Sequence, residues 1–293
     1  MASLKEVRNR ITSVNSTQQI TKAMKMVSAA KLRKAQEAIT QLRPYSQKLS
    51  EMIAAVSANT ELGSQSPFTA VRPIEKVLLI VVTSDRGLCG AFNANVAKAA
   101  MLIANEKYPS QLAKGNVSVM PIGKKGGEVL ARRGYTLDSN FVDTFQGLNF
   151  SKVKAAAENV MEGFVAGDFD EVQIMFNESL NVATQVIRTE QFLPISNKIE
   201  TKATAKVDYA FEPSEDEIIQ ELLPKALKIQ FYKAVLESNS SEHGARMTAM
   251  DKATENAGDL LKALKLEYNR SRQAAITTEI LEIVGGAEAL KNK

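Results

Sequence analysis

The stretch from residue 225 to residue 290 contains no proline, which allows it to form one very long helix. An uninterrupted helix of this length would extend for about 100 Å, several times the width of an ordinary domain. Such a helix must pack against another helix along much of its length, because no single core is that wide. The weak helix-forming sequence SNSSEHG at 238–244 leaves an alternative open, in which two shorter helices replace the long one.

Apolar residues in this stretch recur at the alternating three- and four-residue steps of a coiled-coil seam. The predicted seam consists of Met250, Ala253, Ala257, Leu260 or Leu261, Leu264 and Tyr268. Beyond Tyr268 the same positions are small or polar as far as Thr278, and bulky aliphatic residues return only near the end. We therefore expect the far end of the helix to be thin and to lie beyond any domain.

The first 58 residues show the same spacing and are the predicted partner helix. Their seam residues are Leu4, Val7, Ile11 and Val14 at one end, and Ala38, Leu42, Tyr45, Leu49, Met52 and Val56 at the other. Because the step from 14 to 38 is not a multiple of seven, the seam is predicted to shift phase between them. The apolar residues of that middle part are Ile20, Ala23, Met24, Met26 and Val27. Pro44 is expected to kink this helix without necessarily ending it.

Basic residues dominate the first 36 positions, where Glu6 is the only acid. This distribution predicts either an acidic partner or a solvated face. Nucleic acid is a poor candidate, because no aromatic residue in this part could stack on a base.

A central α/β domain begins near residue 76 with VLLIVV, a run typical of a strand that is covered on both faces. Further strands are predicted at 117–122, 172–177 and 182–192, the last two as a candidate hairpin. Helices are predicted to start at Asn93 and to occupy 127–133 and 148–165. Strands that alternate with helices indicate a mostly parallel, Rossmann-like sheet.

The predicted organisation is an N-terminal shaft helix (1–58), a linker (59–75), the central α/β domain (76–210) and a C-terminal helical segment with the long helix (211–293). Pro224 is expected to break or kink the chain before the long helix begins. Both long helices join the same domain through their inner ends, so their packing must be antiparallel. The expected fold class is thus an α/β domain that carries an antiparallel two-helix coiled coil.

Enzyme chemistry finds little support in the sequence. Cys89 is the only cysteine and His243 the only histidine, which excludes an internal disulfide and leaves a single histidine for any triad. We interpret His243 as a solvated surface residue. The loops at 84–90 and 123–127 lack the phosphate-binding motifs, and the acidic residues show no metal-ligand spacing. We predict no catalytic, cofactor-binding or metal-binding residue.

Several motifs together resemble the γ subunit of F-type ATP synthases. They are RITSV at 10–14, TQQITKAMKMV at 17–27, SDRGLCG at 84–90 with Asn93, ARM at 245–247, and RQ followed by ITTE between 272 and 279. The resemblance extends over the whole chain. It implies a central stalk that turns inside an α3β3 catalytic ring, stands on a proteolipid c-ring and contacts the ε subunit. Such a subunit performs no chemistry and reaches the membrane only through its partners.

The resemblance also implies roles for individual residues. Lys22, Met24 and Lys25 would face acidic loops of β, and Arg272, Gln273, Thr277 and Glu279 would form a second β contact. Tyr209, Phe211 and Glu212 would meet the proteolipid ring.

The start of the chain resembles no secretory or transit segment, which favours a bacterial subunit on the cytoplasmic face of the plasma membrane. Two alternatives from other classes remain: a static coiled-coil scaffold, and a nucleotide-dependent α/β enzyme suggested only by the central domain.

Overall fold

The computed structural model describes residues 4–57, 66–181, 184–195 and 215–291. It contains a five-stranded sheet with helices, together with a long N-terminal and a long C-terminal helix, which confirms the predicted fold class. The helices are α1 (Leu4–Ser57), α2 (Phe92–Lys107), α3 (Pro109–Ala113), α4 (Lys124–Ala131), α5 (Phe150–Ala166) and α6 (Glu215–Lys291). The strands are β1 (Val77–Val82), β2 (Val117–Ile122), β3 (Thr136–Leu137), β4 (Glu171–Ser179) and β5 (Gln185–Leu193).

The chain divides into two compact units. One contains residues 1–27 and 247–293, and the other contains residues 28–246. The domain boundaries expected from the sequence stay a prediction.

The sheet has the strand order β3-β2-β1-β4-β5. The first four strands in this order are parallel, whereas β5 runs antiparallel to β4 as the predicted hairpin partner. The sequence analysis missed β3, which pairs with β2 only at Ser118 and Val119. A strand of two residues carries too little alternating pattern to be recognised from sequence.

Side chains of β1 alternate between two hydrophobic layers, as the two-residue period of a strand requires. Leu78, Ile80 and Val82 face a layer that includes α5 and part of α6. Val77, Leu79 and Val81 face a layer that includes α2. All six side chains are buried, which explains why the strand reads as a continuous apolar run.

Helix α6 is continuous from Glu215 to Lys291, so the alternative of two shorter helices is wrong. Pro224 lies inside this helix and does not break it. The serine-rich stretch stays helical because it is buried: Ser238, Ser240 and Ser241 are all inaccessible to solvent. The Ser238 hydroxyl lies 3.5 Å from the carbonyl oxygen of Val82, where β1 ends. Tertiary packing outweighs weak helix propensity here.

In the unit formed by residues 1–27 and 247–293, α1 and α6 pack in antiparallel orientation. The side-chain amide of Gln18 points to the carbonyl oxygen of Thr254, and the hydroxyls of Thr21 and Thr254 lie 2.8 Å apart. Lys25 forms an ion pair with Asp251 at 2.5 Å. As residue numbers rise on α1, those of their partners on α6 fall, which defines the antiparallel arrangement.

The predicted phase shift of the α1 seam is wrong. Shielded residues keep an unbroken three- and four-residue spacing along α1, and polar residues occupy the middle of that series. The series consists of the buried or half-buried positions 4, 7, 11, 14, 18, 21, 25, 28, 32, 35, 39, 42, 46 and 49, and the half-buried residues Met24, Ala29 and Ala38 flank it. Tyr45, predicted as a seam residue, is exposed. Ile20, Met26 and Val27, which belong to the apolar set of the middle part, are exposed as well.

On α6 the structure selects Leu261 as the seam residue rather than Leu260. Leu261 and Leu264 are buried, whereas Leu260 is 42% exposed. Tyr268 and Ser271 are half-buried and end the series.

We expect Leu264→Ala to destabilise the helix pair by about 2–5 kcal/mol, because it leaves a cavity in the seam. Leu260→Ala is the matched control, since it removes the same atoms from an exposed site on the same helix. Thermal unfolding followed by the helical circular dichroism signal measures both. Equal losses of stability in the two variants would contradict this assignment of the seam.

Candidate partner-binding surfaces

The last part of α6 is a helix surface without a partner among the described residues. Every residue from Arg272 to Glu288 is exposed, a length of about 25 Å. The large aliphatic side chains in this segment are between 47% and 66% exposed: Ile276, Ile280, Leu281, Ile283 and Val284. A contiguous apolar surface of this kind marks a site of protein contact. We call residues 272–288 the α6 tip.

Four of the residues named from the family resemblance lie on the α6 tip. Arg272 and Glu279 are seven residues apart, and Gln273 and Thr277 are four apart, so each pair shares a face of the helix. The Thr277 hydroxyl donates to the carbonyl oxygen of Gln273 at 2.9 Å, which holds its side chain against the helix. All four are exposed and available to a partner.

The other three predicted contact residues of α1 differ in their surroundings. Lys22 is exposed, whereas Met24 and Lys25 are half-buried. Lys25 is already paired with Asp251 of α6, so its charge is partly offset within the chain. Lys22, Ile20, Met26 and Val27 form an exposed surface that combines apolar groups with a positive charge. This surface fits an acidic partner with apolar side chains.

Tyr209, Phe211 and Glu212, predicted to meet a proteolipid ring, lie outside the described residues.

The polar part of the seam went unrecognised as a feature in the sequence analysis. Gln18, Thr21, Lys25, Asp251 and Thr254 hold α1 and α6 together through side-chain hydrogen bonds and an ion pair. The sequence does contain a signal for the polar residues of α1. If the three- and four-residue spacing is continued from Val14, it reaches Gln18, Thr21 and Lys25 whether or not the residues are apolar.

The two glycine-bearing loops that a nucleotide could have used are engaged within the chain. At the start of α4, the amide of Lys124 donates to Asp85 Oδ1 and that of Lys125 donates to the carbonyl oxygen of Ser84. The amide of Gly126 donates to Thr83 Oγ1 at 2.8 Å. An anion at a helix N-terminus needs such amides to be free.

Close packing also explains the glycine at position 123. It has a φ of +96°, and a Cβ there would lie 2.1 Å from the carbonyl oxygen of Thr83. This glycine serves the approach of two loops rather than the approach of a phosphate.

His243 is not the solvated surface residue that the sequence analysis expected. It is half-buried, and its Nδ1 lies 3.3 Å from a guanidinium nitrogen of Arg246. Burial, together with the cations of Arg246 and Lys31, lowers the pKa of His243 to about 4. The imidazole is therefore neutral near pH 7. The expectation failed because the polar sequence around it suggested an open surface, whereas that polar helix segment is packed inside.

Two further properties bear on the class of protein. Within the described ranges, no cluster of His, Cys, Asp or Glu is arranged to hold a metal ion. None of the helices in those ranges has both the length and the apolar character needed to cross a bilayer. The surfaces that stand out are exposed helix faces, which define a subunit that binds other proteins of an assembly through helical contacts.

Comparison with known sequences identifies the assembly. Residues 3–290 match the ATP synthase family. The chain is 57% identical to the ATP synthase gamma chain of Cytophaga hutchinsonii over 296 residues, which covers 100% of both chains. It is 48% identical to the gamma chain of Geobacter metallireducens over 291 residues, covering 99% of this chain and 100% of that one. The chain belongs to the ATP synthase γ-chain family, and its role is that of the γ subunit in the central stalk, the rotor of the enzyme.

Solved structures share this fold. A chain of the Tetrahymena thermophila mitochondrial ATP synthase, in the structure of its central stalk and c-ring, superposes with a TM-score of 0.55 at 26% identity, covering 80% of this chain and 99% of that chain. A chain of the Euglena gracilis mitochondrial ATP synthase rotor superposes with a TM-score of 0.63 at 20% identity, covering 93% and 98%.

Acidification should destabilise the folded chain through His243. Its folded pKa of about 4 lies below the ordinary value of 6.5, so the unfolded chain binds the proton first. The contribution of His243 to stability is therefore full above pH 6.5 and is lost as the pH falls from 6.5 towards 4.

The variant His243→Asn isolates this contribution in urea unfolding between about pH 7 and pH 5. Burial raises the pKa of Glu242, which gives an opposite pH dependence, but it does so in both proteins and cancels in their difference. The wild-type chain should lose more stability on acidification than the variant. Parallel losses would contradict a buried, neutral His243.

Proposed function

We propose that this chain transmits torque between a proteolipid ring and an α3β3 catalytic ring, and that it performs no catalysis itself. The observation that carries the proposal is the α6 tip, which is exposed around its whole circumference and includes large aliphatic side chains. A helix fixed in a permanent complex needs one apolar face, whereas a helix that turns inside a sleeve presents each face in turn. The small and polar residues between Ser271 and Thr278 suit a surface that must slide.

The proposed partners are the β subunits, the ε subunit and the proteolipid ring. Arg272, Gln273, Thr277 and Glu279 would contact β at the tip. Lys22, with Met24 and Lys25 beside it, would contact acidic loops of β further along α1. For Tyr209, Phe211 and Glu212 the proposed partner is the proteolipid ring. The chain would lie on the cytoplasmic face of the bacterial plasma membrane and be attached only through these subunits.

Rotation follows from the asymmetry of the helix pair. Two helices of different sequence have no threefold symmetry, so each of three β subunits would meet a different face. Three identical sites are then held in different states, and they exchange states only when the pair turns. Ligand binding at one site thereby alters affinity at the others, which is a thermodynamic coupling between sites.

The competing function is a static coiled-coil scaffold, and a crosslink separates the two. With Cys89 replaced by serine, the variant Ser271→Cys can be joined to a new cysteine on the facing β surface of the assembled enzyme. We expect oxidation to stop steady-state ATP hydrolysis while nucleotide still binds at the tightest site, and reduction to restore turnover. A crosslinked enzyme that hydrolyses ATP at the full rate would favour the scaffold. The same cysteine pair kept reduced is the control.

Charge reversal tests the α1 surface. We expect Lys22→Glu to lower proton pumping relative to ATP hydrolysis in membrane vesicles, because it places a negative charge against acidic loops. The effect should weaken as salt is raised, since exposed charges are screened over roughly 10 Å at 0.1 M. Lys22 is preferred to Lys25 because reversal of Lys25 would also place two acids together, at Asp251.

Lys34→Glu is the control for this experiment, as another exposed lysine of α1 outside the proposed contact. If the ratio of proton pumping to ATP hydrolysis were the same in both variants and in the wild type, the basic residues of α1 would be only a solvated face.

A further inference from the structure

Arg246 of α6 holds the loop that follows β1, residues 84–90. Its Nε donates to the carbonyl oxygen of Gly87 at 3.3 Å, and its Nη2 donates to those of Arg86 and Gly87 at 3.0 and 3.3 Å. Its Nη1 forms an ion pair with Glu242 at 2.5 Å. Both side chains of this pair are only 10% exposed. A buried guanidinium of this kind fixes geometry, because its planar donors bind two neighbouring carbonyl oxygens and a carboxylate at the same time.

The loop is held from its other side by α2. The backbone amide of Ser84 donates to Asn93 Oδ1 at 2.9 Å, and the Ser84 hydroxyl donates to the carbonyl oxygen of Arg86 at 2.6 Å. Cys89 and Phe92 pack against Ala245 of α6 in a small hydrophobic cluster. The carbonyl oxygens that Arg246 binds therefore belong to a loop that is anchored in the α/β domain.

The loop adopts a backbone conformation that it would not choose alone. Leu88 has a φ of +64°, and its side chain is 62% exposed. A left-handed conformation is unfavourable for a residue with a Cβ and persists only where the surroundings impose it. The hydrogen bonds to Arg86 and Gly87, immediately before Leu88, supply that constraint.

Arg246 lies at the point where α6 leaves the unit that contains the α/β domain. Arg246 is the last residue of α6 within the compact unit of residues 28–246, and the helix continues into the other unit from Met247. Towards its N-terminal end, α6 is attached to the sheet by apolar side chains such as Leu227, Phe231 and Val235. Apolar contacts are not directional and resist sliding weakly, whereas a buried guanidinium with fixed acceptors resists it strongly.

We propose that Arg246 is a positioning residue for energy coupling, which locks α6 to loop 84–90 so that this helix and the α/β domain turn together under load. This inference rests on the proposed torque-transmitting function. Arg246 is not one of the residues proposed to contact a partner subunit, so its role would be to hold α6 and the α/β domain together within this chain.

The first experiment measures whether the lock exists. Cys89 is buried and is the only cysteine of this chain, so its modification by a thiol reagent reports release of the loop. The rate of modification is measured in the assembled enzyme by mass spectrometry of the peptide that contains Cys89. We expect Arg246→Ala to raise this rate on the order of a hundredfold, because the variant loses one member of a buried ion pair. An unchanged rate would overturn the proposal.

The second experiment measures what the lock does. In membrane vesicles, the largest proton gradient that ATP hydrolysis sustains should fall in the order wild type, Arg246→Lys, Arg246→Ala. ATP hydrolysis by the detergent-solubilised enzyme, which works against no gradient, should stay at the wild-type rate. Arg246→Lys keeps a positive charge next to Glu242 but loses the guanidinium hydrogen bonds to the carbonyl oxygens of Arg86 and Gly87. This variant is used for the test if the alanine variant fails to assemble.

The matched control is Lys225→Ala, which removes an exposed ion pair with Glu221 at the same four-residue spacing on the same helix. It should alter neither measurement, since exposed pairs contribute little. A variant in which Cys89 is modified rapidly but which sustains the full wild-type gradient would overturn the proposed role of Arg246 in coupling. The Ser271 crosslink tests rotation without changing Arg246, so failure of the proposed function is distinguishable from failure of this inference.

Discussion

Burial of the middle of α6 against the α/β domain keeps the longest helix of the chain in one piece. The segment from Ala234 to Arg246 contains serines, a histidine and a glycine, and it would be a poor helix in water. Packing on the end of β1 and on loop 84–90 keeps it helical, so that α6 stays one continuous element on both sides. Without that packing, the segment would favour a break in the helix, because serine, asparagine and glycine are weak helix formers.

Much of this architecture follows from local patterns. The run VLLIVV and the alternation of strands with helices predict the sheet, because each signal lies within a few consecutive residues. The stripe that ends at Leu264 and Tyr268 predicts the helix pair for the same reason. What local patterns miss are contacts made across long distances in sequence. The fork from Arg246 to the carbonyl oxygens of Arg86 and Gly87 joins residues far apart in the chain and leaves no trace in either local sequence.

The failed predictions share one cause, which is the assumption that buried means apolar. On α1 the seam passes through Gln18, Thr21 and Lys25, while Ile20 and Met26 face outward. His243 was assigned to the surface because its neighbours are polar, yet those neighbours are buried. The exposure of apolar side chains on α1 is informative, because exposed apolar groups are unfavourable in water and a partner that covers them removes this cost.

Gly258 lets the two helices of the pair approach each other closely at the level of Gln18. A Cβ at this position would lie 2.9 Å from Nε2 of Gln18, so the side chain of α1 rests almost on the backbone of α6. The same Nε2 points to the carbonyl oxygen of Thr254 on α6. A residue with a side chain at position 258 would therefore push the Gln18 amide away from Thr254, so the absence of a side chain at one position of α6 preserves a polar contact made four residues earlier.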